Sequence, residues 1–218
     1  MNAAERASTD AGTVTVTGSG WAEAVPDLVT VSVAVECRAP SVADAYAAAG
    51  QGLAAVAAAL RGHGVAPADL RTGGLSVRAD LAWRDGEGQK LVGYVAVGSL
   101  AVRLRDVGNA PGAISAAVES GGDDVRLESL QLVLSDDSAT RAQAREAAWQ
   151  DALRAAAQFA SLASATLGRV LSVTDLRAAP GPAPAAGLQR ASAVEGLPLE
   201  SGRNRVEAGV TVTWELLH

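Results

Sequence analysis

At 218 residues with 49% apolar side chains, the chain is long enough to bury a sizeable core, yet aromatics make up only 3%, so that core must be built from Val, Leu and Ala. A formal net charge of -6 argues against a phosphate-tracking surface, and with it against nucleic acid as a partner. The single cysteine, Cys37, excludes an internal disulfide, and the two histidines, His63 and His218, leave little material for a nucleophile–base pair.

The opening MNAAERASTDAGT has neither the basic start nor the apolar run of an export signal, and no later stretch supplies the roughly 18 apolar residues of a membrane helix. The location expected of the chain as written is cytoplasmic, and residues 1–11 read as a disordered tail. Val14 and Val16 alternate with Thr13, Thr15 and Thr17 in a short strand that is expected to break at Gly18-Ser19-Gly20. After Pro26-Asp27, the residues Val29, Val31, Val33, Val35 and Cys37 fall on one face of a second strand, with Cys37 a buried thiol at its end. A redox role for Cys37 would need a cationic neighbour, for which Arg38 is the local candidate.

Ser41, with Asp44 three residues on, opens a helix whose Val42, Tyr46, Ala49, Leu53, Val56 and Leu60 predict one buried face, and Gly62 and Gly64 close it. Residues 70–83 and 89–105 predict a long hairpin turning at Asp85-Gly86-Glu87-Gly88. Its second strand alternates Leu100, Val102 and Leu104 against Ala101, Arg103 and Arg105. A short helix follows over 110–120, then a half-buried strand carrying Leu130, Leu132 and Leu134. The longest helix starts near Ser135-Asp136-Asp137-Ser138 and is expected to run to Gly168, burying Trp149, Ala152, Ala156, Phe159, Ala163 and Leu167. A strand over 169–177 leads into a Pro/Ala/Gly-rich stretch, 178–203, which reads as a flexible insertion. A regular closing strand carries Val206, Ala208, Val210, Val212, Trp214 and Leu216 on one face. The elements amount to one α+β domain over 12–217: a mainly antiparallel sheet with two long helices and one short helix packed on it, and a long hairpin.

The order of these elements and four local strings resemble the SIMPL-domain family. Gly18-Ser19-Gly20, Ala22, Ala24 and Pro26-Asp27 resemble its opening string, and Asp69-Leu70-Arg71-Thr72 the start of its third strand. Gly93-Tyr94 is similar to its Gly-Tyr strand, and the Ala-rich helix of Ala144-Arg145, Ala148, Asp151-Ala152 and Ala155 to Ala157, closing at Leu167-Gly168, to its long helix. The resemblance implies helices against an antiparallel sheet and no established enzymatic activity. It also implies bacterial relatives that are mostly periplasmic or envelope-associated, linked to oxidative-stress tolerance, some of them forming large oligomers.

Chemistry is thinly represented. There is no HExxH, CxxC, P-loop or Gly-x-Ser-x-Gly string, and Gly18-Ser19-Gly20 is not a dinucleotide fingerprint because Glu23 stands where a third glycine is needed. Asp123-Asp124 and Asp136-Asp137 are adjacent pairs whose side chains diverge, and they read as a solvated turn and a helix cap. No catalytic, cofactor-binding or metal-binding residue is therefore assigned. The candidate interaction residues are Trp21 and Trp83, which either close the ends of the core or anchor a subunit contact, together with Tyr94 in the hairpin and the Arg103–Arg105 pair, which suits an anion or a partner's carboxylates. The expected function is a non-enzymatic, homo-oligomeric scaffold or binding module with a role in stress protection. The alternative is a small-molecule or peptide binding domain with a pocket between helices and sheet.

Overall fold

The computed structural model describes residues 12–86, 88–176 and 199–218; the 1–11 tail and most of the 178–203 stretch lie outside the described residues. Among these, the elements run β1 (Thr13–Ala24), β2 (Leu28–Ala39), α1 (Val42–Gly62), β3 (Leu70–Arg84), β4 (Gly88–Leu104), α2 (Ala110–Gly121), β5 (Val125–Val133), α3 (Ser138–Leu162), β6 (Thr166–Leu176) and β7 (Asn204–Leu217). The fold is α+β with antiparallel pairing, its strands divided between two sheets ordered β1-β7-β6 and β3-β4-β2-β5. Two compact units result. One takes the described residues of Met1–Ala24, Asp136–Arg190 and Arg203–His218, the other those of Val25–Ser135 and Ala191–Gly202. The divisions at Ala24/Val25 and Ser135/Asp136 fall within the stretch that the sequence reading takes as continuous.

In the first unit β1 and β7 pair without interruption from Thr13↔Glu215 to Ala24↔Asn204. Alternation sends Val16, Val212 and Trp214 inward, while threonine hydroxyls pair on the other face, Thr15 with Thr213 and Thr17 with Thr211, each at 2.9 Å. The strand does not break at Gly18-Ser19-Gly20. The glycines instead mark where α3 lies directly on β1: a Cβ at Gly18 would collide with the Ala148 carbonyl and the Ala152 amide, and one at Gly20 with the Ala148 amide and the Ala144 carbonyl. Such an approach admits only small side chains from the helix, and the buried ridge of α3 is Thr140, Ala144, Ala148, Ala152, Ala156 and Ala160, an unbroken i,i+4 row. The expected stripe is corrected accordingly. Phe159 is 53% exposed, and Trp149 is only partly buried, its ring tilted at 56° to that of Trp214 with the centroids 5.9 Å apart. The helix also stops at Leu162 rather than Gly168, because Ser164 takes a left-handed φ of 54° and the Ser164 and Ala165 amides turn back onto Ser161 and Ala160.

In the second unit Val29, Val31, Val33, Val35 and Cys37 are buried, as their alternation predicts, against Leu100, Val102 and Leu104 of β4. α1 covers this face. Its cap is as expected: the Asp44 amide donates to Ser41 Oγ at 3.1 Å, and Gly64, with φ 84°, closes the other end as Val65 N–H donates to the Leu60 carbonyl at 3.1 Å. The buried face is rotated from the expected one. Ala45, Ala49, Val56, Ala57 and Leu60 face the core, while Val42 and Tyr46 are exposed. Small residues let the helix settle closely, and at Gly52 a Cβ would stand 2.7 Å from Val35 Cγ1. The Pro26-Asp27 turn is tied to the end of β5: the Ser135 amide and hydroxyl each donate to the Asp27 carboxylate at 2.6 Å.

Cys37 is buried at 4% exposure and its thiol donates to Asp124 Oδ2 at 3.4 Å. Burial, and then this acidic neighbour, push the thiol up to about 11. Arg38 does not supply the cation that a reactive thiol would need, since it pairs with Glu36 at 2.8 Å and Asp80 at 3.5 Å.

Candidate functional site: an arginine-rimmed cleft and a projecting ribbon

Arg103 and Arg105 owe their positions to the alternation that ends β4. Leu104 turns into the core at 4% exposure, so its two neighbours turn out. Asp69 arrives from a different direction. Pro67–Asp69 form one 3₁₀ turn leading into β3, and pairing of Leu70 with Val102 sets Asp69 beside Arg103. The Asp69 carboxylate is 6% exposed and accepts two hydrogen bonds from Arg105, Nε at 2.7 Å and Nη2 at 2.8 Å, with Arg103 Nε at 4.0 Å. Hydrogen bonding from Arg105 holds the Asp69 carboxyl below its ordinary value of 3.8, against the opposing effect of burial.

This pair forms one wall of a cleft of about 170 Å³ between the end of α1, the start of α2 and the end of β4. Val65, Leu104 and Ala113 supply apolar lining, and His63, Arg103 and Arg105 bring basic side chains. Asn109 braces it, donating from Nδ2 to the His63 carbonyl at 3.3 Å, while its own amide donates to Asp106 Oδ1 at 3.1 Å. Sequence reasoning finds the two arginines but not Asp69, which it places only in a family-like string.

The other candidates lie elsewhere. Trp21 belongs to the first unit, is 51% exposed, and has the Arg205 guanidinium 4.5 Å above its ring. Tyr94 lies within β4 and Arg103 near its end, roughly 30 Å apart at about 3.4 Å per residue. Beyond Tyr94, the last residue of β4 to pair with β2, the hairpin continues as a two-stranded ribbon. Gly93 permits that departure, since a Cβ there would stand 2.8 Å from the Ala39 carbonyl. Ala79, Leu81 and Trp83 of β3 share one ribbon face with Leu91 and Tyr94 of β4. Tyr94 packs at the edge of the core, but Leu81, Leu91 and Val92 are about half exposed and Trp83 is 72% exposed.

Among the described residues no three His, Cys, Asp or Glu side chains converge as a metal site would require, and no helix is long and apolar enough to cross a membrane. Fold and surfaces thus define an α+β protein of two antiparallel sheets, one carrying a projecting apolar ribbon. The chain belongs to the SIMPL family, described as proteins of unknown function (DUF541), whose sequence model matches residues 14–214. It is 28% identical over 216 residues to the 26 kDa periplasmic immunogenic protein of Brucella melitensis, covering 93% of this chain and 84% of that one. It is also 28% identical over 160 residues to the uncharacterized protein YggE of Escherichia coli K12, covering 73% of this chain and 64% of YggE. The Brucella relative is by name periplasmic, and nothing in these comparisons supports the cytoplasmic location expected above.

Proposed function

We propose that this chain is a non-enzymatic, self-assembling scaffold that joins copies of itself through the β3–β4 ribbon. One observation carries the reading: the ribbon leaves its own sheet with Leu81, Trp83, Leu91 and Val92 exposed together. A large apolar side chain left exposed alone is ordinary, but four at the end of a projecting hairpin form the sort of patch that marks a partner-binding surface. The role in stress protection rests on the family resemblance alone. Light scattering on the full chain at micromolar concentrations tests assembly, and a strictly monomeric mass would refute it. Trp83→Ala should weaken association by about 2 kcal/mol, roughly thirtyfold, as loss of an interface tryptophan does.

The cleft favours a second reading, a binding site for a small ligand with an apolar body and an anionic group facing Arg103 and Arg105. Its volume of about 170 Å³ suits a compact molecule. Thermal shift against a panel of short-chain carboxylates checks this. A ligand at 100 times its Kd should add about 2.7 kcal/mol, and the gain should vanish in Arg103→Ala.

A further inference from the structure

We propose that two copies pair along β3, antiparallel about a two-fold axis at Ala79, so that two four-stranded sheets become one of eight strands. This names the seam of the assembly proposed above and rests on that reading. β3 ends its sheet, in the order β3-β4-β2-β5, and its outer edge is unpaired among the described residues. Open edges are commonly blunted by proline, by an inserted residue or by a charge aimed at the core. Neither proline nor insertion interrupts β3 from Gly74 to Arg84: one register shift against β4 falls before Gly74, and at the other the extra residue is Val92 of β4. Along this edge Leu75, Val77, Ala79, Leu81 and Trp83 occupy one face, and Leu75, Leu81 and Trp83 are exposed.

Charge selects the register. With the axis at Ala79, Leu75 lies opposite the partner's Trp83 and Val77 opposite the partner's Leu81, each contact occurring twice. On the other face Arg78 lies opposite the partner's Asp80, also twice. Moving the axis to Arg78 sets that arginine against its own copy, and moving it to Asp80 opposes two carboxylates; both oppose like charges across the pair. Arg78 is exposed and makes no ion pair with a described residue. Asp80 stands 3.5 Å from Arg38 through one oxygen, and a carboxylate has capacity for a second guanidinium.

The test is a charge exchange read by analytical ultracentrifugation of the full chain, with circular dichroism confirming the fold of each variant. Arg78→Glu and Asp80→Arg should each lower the pairing constant at least tenfold. An equimolar mixture of the two should recover it, because every unlike-charge contact is rebuilt between different copies. Ala79→Cys supplies a second readout: cysteines facing across the axis should join copies by a disulfide on mild oxidation, while Val77→Cys and Leu81→Cys should not. A monomeric wild type overturns self-assembly altogether. A wild type that assembles while Arg78→Glu and Asp80→Arg keep its mass, or a mixture that fails to recover, or an Ala79→Cys chain that stays uncrosslinked, overturns this seam and leaves assembly standing.

Discussion

Asp69 keeps its charge in a buried position because Arg105 commits two N–H donors to it. The sign of the resulting pH dependence follows from the direction of the shift. Asp69 and Asp27 both titrate below 3.8 in the folded chain, so the unfolded chain takes up protons first. Their contribution is fully present above the ordinary carboxylate value and drains away as pH falls through the folded values. Urea midpoints should therefore be level between about pH 5 and 7 and drop below about pH 4, with a shallower drop in Asp69→Asn. Arg105→Ala should lower the urea midpoint at neutral pH, because it leaves the Asp69 carboxylate without the two donors that it accepts from. Cys37 gives an independent check on burial. With its thiol pushed up to about 11, it should react with a thiol reagent at about pH 8 on the order of a hundredfold more slowly in the native protein than in urea. At this scale the arginines were legible because β alternation exposes them. Asp69 was not, because its value lies in a partner 36 positions away.

At the scale of elements, capping signals proved readable where they were local and chemically distinct. Ser41 with Asp44, and Gly64 in the left-handed region, bound α1 as expected, and Ser41→Ala should cost about 1 kcal/mol in thermal denaturation. α3 ends at a serine in the conformation that glycine usually supplies, so the sequence carries no glycine signal at its true end. Gly18 and Gly20 are ambiguous in the sequence for a related reason. A glycine that breaks a strand and a glycine that admits a helix look alike in one dimension, and only the packing of Ala144, Ala148 and Ala152 distinguishes them. Gly20→Ala should destabilise the chain by about 3 kcal/mol, because its methyl meets helix backbone rather than a yielding side chain. Strand breaking would instead predict a small gain for the same substitution, so calorimetry separates the two accounts.

At the scale of the whole molecule, the chain builds two cores from different materials. One is a valine-rich face of β2 and β4 beneath α1, the other an alanine ridge of α3 on β1 and β7 with Trp214 at 2% exposure. If copies associate through the ribbon, Tm should rise with protein concentration in the wild type and become independent of it in Trp83→Ala at the same concentrations, by differential scanning calorimetry. Composition, alternation and capping are properties of neighbouring residues, so by themselves they determined the antiparallel α+β class, the order of elements, the buried face of β2 and the long hairpin. They could not determine which strands share a sheet, that α3 presents alanines rather than aromatics, or that Asp69 meets Arg105. Those depend on residues such as Thr15 and Thr213, 198 positions apart, which nothing short of the closed chain brings together.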